Sequence, residues 1–142
     1  MAKRTKFIQL KSLFQTLHGS SGCLWDKKQT HRSLLKYLKE ESGEFSDAVR
    51  KGNTHHMKEE LGDVLLQVMF HSQIASKEGS FDIEDVIEGL IKKLKRRHPH
   101  VFGTTKVKSA HEIIRNWHKI KKMEKAPSHK RCQNSGPFLN RN

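Results

Sequence analysis

Apolar residues in this chain recur at spacings of three and four, and nowhere do they alternate with period two over the length of a strand. Such a pattern supplies amphipathic helices and leaves a sheet without material, so the expected fold is all α, a bundle of four to five helices. Phe7, Leu10, Leu13, Phe14 and Leu17 mark a first helix, and Gly19-Ser20-Ser21-Gly22 then breaks the chain into a flexible loop. Leu34, Leu35, Leu38, Phe45, Ala48 and Val49 mark a second from Thr30 to about Lys51, stopped by Gly52-Asn53. A third runs from Thr54 to about Ala75 and is apolar on nearly every side around Leu61-Gly62-Asp63-Val64-Leu65-Leu66, which predicts a helix inside the bundle. Asp82, with Asp85 three residues on, caps a fourth that ends at His98-Pro99. Ser109 and Glu112 form a capping box for a fifth, which carries Ile113, Ile114, Trp117 and Ile120 and ends before Pro127.

With 142 residues there is chain enough for one core and too little for two. Residues 1–125 are read as that domain. Residues 126–142, rich in Pro, Ser, His, Lys, Arg, Asn and Gly, are read as a disordered basic tail. Apolar runs fall far short of the roughly 20 residues a membrane helix needs, and Phe7-Ile8-Gln9-Leu10-Lys11 is too interrupted for a signal peptide. Cys23 and Cys132 form no Cys-x-x-Cys spacing. A soluble cytoplasmic protein without a disulfide framework is expected.

The formal net charge of +13 is segregated. Residues 26–91 hold nine bases against 13 acids, and residues 92–142 hold 15 bases against two. A basic end of this kind can bind nucleic acid non-specifically, although no helix-turn-helix, finger or RNP signature accompanies it. It can also serve a polyanion that is held by metal ions in the acidic middle.

The acids of that middle are unusually placed. On a helical wheel of about 100° per residue with Leu34 at zero, Glu41 falls at about −20°, inside the stripe of Leu38, Phe45 and Ala48, and Glu44 lies on its border. Glu60 and Asp63 repeat the one-turn spacing on the next helix, where Asp63 shares a face with Leu66 and Phe70. Burying even one unpaired carboxylate costs several kcal/mol, so two such pairs need protons, basic side chains or a metal ion. Oxygen-only ligands suit Mg²⁺ or Mn²⁺ rather than zinc. The Glu-x-x-His pairs of a di-iron bundle are missing, because position 63 is Asp. His98-Pro99-His100 has no third nitrogen or sulfur ligand close in sequence and reads as a turn. Pairing with Lys36, Lys39 and Lys58 along ordinary solvated helices is the alternative account of the carboxylates.

Four segments then carry a resemblance: Gly22-Cys23-Leu24-Trp25-Asp26-Lys27-Lys28-Gln29-Thr30-His31, Leu38-Lys39-Glu40-Glu41-Ser42-Gly43-Glu44, Glu59-Glu60-Leu61-Gly62-Asp63-Val64-Leu65-Leu66-Gln67-Val68 and Arg96-Arg97-His98-Pro99-His100-Val101-Phe102. In order and spacing they resemble the MazG nucleoside triphosphate pyrophosphohydrolases over about residues 7–125. The resemblance implies an all-α, dimeric, Mg²⁺-dependent enzyme of nucleotide-pool house-cleaning that splits a nucleoside triphosphate into monophosphate and pyrophosphate. It implies Glu41, Glu44, Glu60 and Asp63 as metal ligands, and Glu40 as the acid that orients or deprotonates the attacking water. Lys93 and Arg97 look like the family's phosphate-contacting bases, and Trp117 and Lys121 like its later substrate-side pair. Departures are Leu24, where the family usually has Pro, Gly43 inside the metal-binding helix, and one domain where many members have two in tandem.

Overall fold

Seven helices form among residues 5–126, which are those that the structure, a computed structural model, describes. Five follow the apolar periodicity: α1 (Lys6–Leu17), α3 (His31–Arg50), α4 (Thr54–Lys77), α5 (Ile83–Arg97) and α7 (Ala110–Lys125). Two more are short: α2 (Leu24–Lys28), between the Gly19–Gly22 loop and Thr30, where the sequence assigns no element, and α6 (Pro99–Phe102), where a turn is expected. Four or five residues give periodicity too little length to register, and Pro99 at the first position of α6 is pre-set for a helix start. The tail expected over residues 126–142 lies outside the described residues except for Ala126.

Local chemistry sets the boundaries. Thr30 and Ser33 form a reciprocal capping box at the start of α3, and Asn53 accepts from the His56 amide at the start of α4. Asp82 accepts from the Glu84 and Asp85 amides, while Asp85 accepts from the Asp82 amide. Ser109 caps Glu112 as expected, but the Glu112 carboxylate reaches the Lys108 amide rather than that of Ser109. Gly52, at φ 64°, ends α3 in the left-handed conformation that glycine adopts without strain. Gly22 is required for a different reason, since a Cβ there would meet the Leu17 carbonyl oxygen at 2.1 Å.

The chain divides into two units, residues 1–89 and 90–142. The core of the first is Phe14, Leu34, Met69, Phe70, Ile74 and Ile83, with Phe7, Leu10, Tyr37 and Ile87 packed against it. Phe70 meets the rings of Phe14, His18 and Trp25 edge-on. The buried side of α4 is therefore its C-terminal half. Leu61, Leu65, Leu66 and Val68 are exposed, so α4 is not enclosed on all sides as its composition suggests. In the second unit Glu124 of α7 joins Arg96 and Arg97 of α5, with Arg97 Nη2 at 2.7 Å and Arg96 Nε at 2.6 Å from its carboxylate.

Candidate metal centre on helices α3 and α4

Only Lys51, Gly52 and Asn53 join α3 to α4, so the two helices run antiparallel and the C-terminal half of α3 faces the N-terminal half of α4. This hairpin brings carboxylates together. One oxygen from each of Glu41, Glu60 and Asp63 lies within 4.8 Å of the other two. Glu60 is 5% exposed. Its Oε1 lies 2.6 Å from His56 Nε2, one turn earlier on α4, while its Oε2 is buried with no hydrogen-bond donor among the described residues.

Electrostatics at Glu41 report the same crowding. Burial pushes its carboxyl above the ordinary carboxylate range, and the charges of Asp63, Glu44, Glu60 and Glu40 push in the same direction. A bare oxygen at Glu60 and a destabilised charge at Glu41 are two costs that one hard cation would relieve, since such ions take oxygen ligands and supply the missing positive charge. The donor set therefore fits a hard divalent cation.

Glu44 and Glu40 are exposed and stand outside the close group of three. Both are near enough for their charge to act on Glu41. Lys93, Arg97, Trp117 and Lys121 belong to the second unit. There Lys93 and Lys121 are exposed, and Arg97 is engaged by Glu124, whose carboxyl the hydrogen bonds of Arg97 and Arg96 hold down at about 2. Trp117 tilts against the His98 ring at 6.5 Å.

Two residues at these places escape a reading of the sequence. His56 sits four residues before Glu60, a spacing that puts it on the same face, and the pair His-x-x-x-Glu was the available signal. Glu124 pairs with two arginines 27 and 28 residues away, for which no local pattern exists.

A family model described as the MazG nucleotide pyrophosphohydrolase domain matches residues 29–102, which include all three clustered carboxylates. The nucleoside triphosphate pyrophosphohydrolase/pyrophosphatase MazG of Thermotoga maritima is 52% identical over 119 residues, covering 84% of this chain and 45% of its own length. The uncharacterized protein YabN of Bacillus subtilis is 48% identical over 132 residues, 93% of this chain and 27% of its own. The nucleoside triphosphate pyrophosphohydrolase of Escherichia coli K12 is 39% identical over 119 residues, 83% of this chain and 45% of its own. The chain thus spans between a quarter and a half of the length of these curated relatives. The crystal structure of a mazG-related protein from Thermotoga maritima superposes with a TM-score of 0.66 at 28% identity, covering 82% of this chain and 98% of that one. With the family model extending over more than half of its residues and the helical fold shared with that structure, the chain belongs to the MazG nucleotide pyrophosphohydrolase family.

Proposed function

We propose that this chain hydrolyses nucleoside triphosphates to nucleoside monophosphate and pyrophosphate, with Mg²⁺ as its cofactor and Mn²⁺ able to replace it. The observation that carries this reading is the approach of Glu41, Glu60 and Asp63 to within 4.8 Å with one Glu60 oxygen left bare. The names of the relatives from Thermotoga maritima and Escherichia coli point to the same reaction. Glu41, Glu60 and Asp63 hold the ion, and Glu44, one turn beyond Glu41, completes the set. When bound, the cation offsets phosphate charge and acidifies coordinated water.

The remaining roles fall to groups around that centre. His56, with its Nε2 2.6 Å from Glu60 Oε1, would hold that carboxylate in place for the ion. Glu40, exposed and next to Glu41, takes the proton of the attacking water. Lys93, Arg97 and Lys121 neutralise the phosphates, where the Arg97 guanidinium can pair two oxygens at once, and Trp117 supplies an aromatic face to the nucleotide. Housekeeping of the nucleotide pool in the cytoplasm suits such a reaction, and no helix among the described residues is long and apolar enough to cross a membrane. A homodimer is part of the proposal, supported by exposed Leu61 and Leu65 on α4 and Ile114 on α7.

The rival reading, a basic helical module that binds nucleic acid, gives the carboxylate group no use. Product analysis separates the two. Incubation with a panel of nucleoside triphosphates and Mg²⁺ should yield monophosphate and pyrophosphate in equal amounts, and Glu41→Gln should abolish the yield while leaving helical content intact. Release of orthophosphate, or undiminished turnover by Glu41→Gln, would contradict the assignment. Absence of turnover together with steeply salt-dependent nucleic-acid binding would favour the rival.

A further inference from the structure

Away from the carboxylates, α3 and α4 are also joined by two imidazoles. His31, the first residue of α3, and His71, in the third quarter of α4, bring their Nδ1 atoms to 2.7 Å. The ring planes are within 8° of parallel and the centroids are 5.1 Å apart. That separation leaves room for little more than one ring radius on either side of the N···N contact. The rings therefore lie side by side in one plane, in line for an N–H···N hydrogen bond, rather than face to face.

A bond of this kind requires opposite tautomers, because one Nδ1 must carry the proton and the other must accept it. The neighbours decide which. His31 Nε2 is 3.8 Å from the Glu78 carboxylate, an acceptor, so the proton of His31 belongs on Nε2 and its Nδ1 is bare. His71 accordingly donates from Nδ1, and its Nε2 is a bare lone pair. This agrees with the position of His71 Nε2, which is buried with no hydrogen-bond partner among the described residues. The opposite assignment would bury an N–H without an acceptor, at greater cost than a vacant lone pair.

The order is then Glu78, His31, His71, with a hydrogen bond from His71 Nδ1 to His31 Nδ1 and the Glu78 carboxylate at ion-pair distance from His31 Nε2. A third proton-bearing nitrogen can be accommodated only with the mutual hydrogen bond in place as a shared one, and a fourth cannot. Two fully protonated imidazoles present N–H to N–H and repel. Burial and the adjacent His31 both lower the proton affinity of His71. Other charged or titratable groups near the chain of contacts are Lys77 beside Glu78 on α4, Asp26 and Lys27 of α2, and His18 after α1, which share a cleft with Glu78. Lys27 is occupied by the Ser20 carbonyl, and His18 by the Phe14 carbonyl.

We propose that His31 and His71 are a positioning pair, a proton-sensitive clamp that sets the register of α3 on α4 and opens when both rings become charged. Glu41 lies ten residues along α3 from His31, and Asp63 eight residues back along α4 from His71, so a fixed register at one end of the hairpin aligns carboxylates at the other. Its effect on metal binding rests on the proposed metal centre; the clamp itself does not. Two independent readouts keep them apart.

The first uses imidazole ¹⁵N NMR and thermal midpoints of the full chain between pH 7.5 and 5, without metal. His71 should show a protonated Nδ1 and a bare Nε2 at pH 7.5, and His31 the reverse. The midpoint should fall with acid in the wild type and fall less in His71→Phe, which keeps a ring and removes its nitrogens. His31→Gln should keep the bond through its carboxamide oxygen and remove the titration at that position, and Glu78→Gln should shift the wild-type transition to lower pH. Two rings that titrate independently near the ordinary histidine value, or a His71→Phe profile parallel to that of the wild type, would overturn the clamp. The second readout is Mn²⁺ affinity at pH 7.5, expected to weaken about tenfold in His71→Phe and to stay at the wild-type value in His31→Gln, on the scale of lost positioning contacts around metal ligands. A clamp that passes the first test while Mn²⁺ affinity is unchanged in His71→Phe would refute the alignment role alone. Absence of Mn²⁺ binding by the wild type would instead refute the metal centre.

Discussion

Glu60 is almost fully buried, yet one of its oxygens has no donor and the other depends on His56. A buried carboxyl group with one oxygen left bare is costly, and the cost is tolerable where a cation completes it. Two predictions belong to this scale. Glu41→Gln should stabilise the metal-free protein, because the substitution removes a carboxyl whose charge is disfavoured by burial and by Asp63, Glu44, Glu60 and Glu40. The same change should remove the stabilisation that Mg²⁺ confers. Both are read from thermal midpoints with and without Mg²⁺, and a lowered midpoint in the metal-free variant would count against the crowding. His56→Ala should weaken metal affinity by about 10 to 100-fold, as removal of a group that positions a metal ligand typically does. Calorimetric titration measures it. The sequence made the three clustered carboxylates legible, since charged residues at the helical spacing of apolar ones are conspicuous. His56 was legible only as a spacing, and the contact of His31 with His71 not at all, because 40 residues separate them and only packing brings them together.

At the scale of the helix, α3 is regular through Gly43, and a Cβ built there meets nothing within 4 Å. The glycine therefore contributes flexibility without relieving a clash. Gly43→Ala should stabilise the fold by about 0.5–1 kcal/mol, measured by denaturant unfolding, with the slope of the transition unchanged. Leu34, on the same helix and wholly buried, should behave in the opposite way, with Leu34→Ala costing about 2–5 kcal/mol. The long helices were legible because caps such as Thr30 and Asn53 punctuate strong periodicity. Helix α2 was hidden by its length and by the glycines before it. The exposed Leu61, Leu65 and Leu66 were hidden for another reason, that hydrophobicity announces a surface to be covered without saying what covers it.

At the scale of the whole molecule, charge and structure divide the chain at nearly the same place. Residues 26–91 carry the acidic excess and residues 92–142 the basic one, and the two structural units meet at residues 89 and 90. The first holds every candidate metal ligand and the second the bases and Trp117 assigned to substrate. His71 gives the whole fold a sign of pH dependence. Its proton affinity is lowered on folding, so the stability it contributes is fully present above about pH 6.5 and is lost as the pH falls below that value through the folded one. The most direct test of the account is an electron paramagnetic resonance titration of the full chain with Mn²⁺ at pH 7.5. Saturable binding that disappears in Asp63→Asn and persists in Lys93→Ala is the predicted result. Equal Mn²⁺ affinity in the wild type and Asp63→Asn would contradict it.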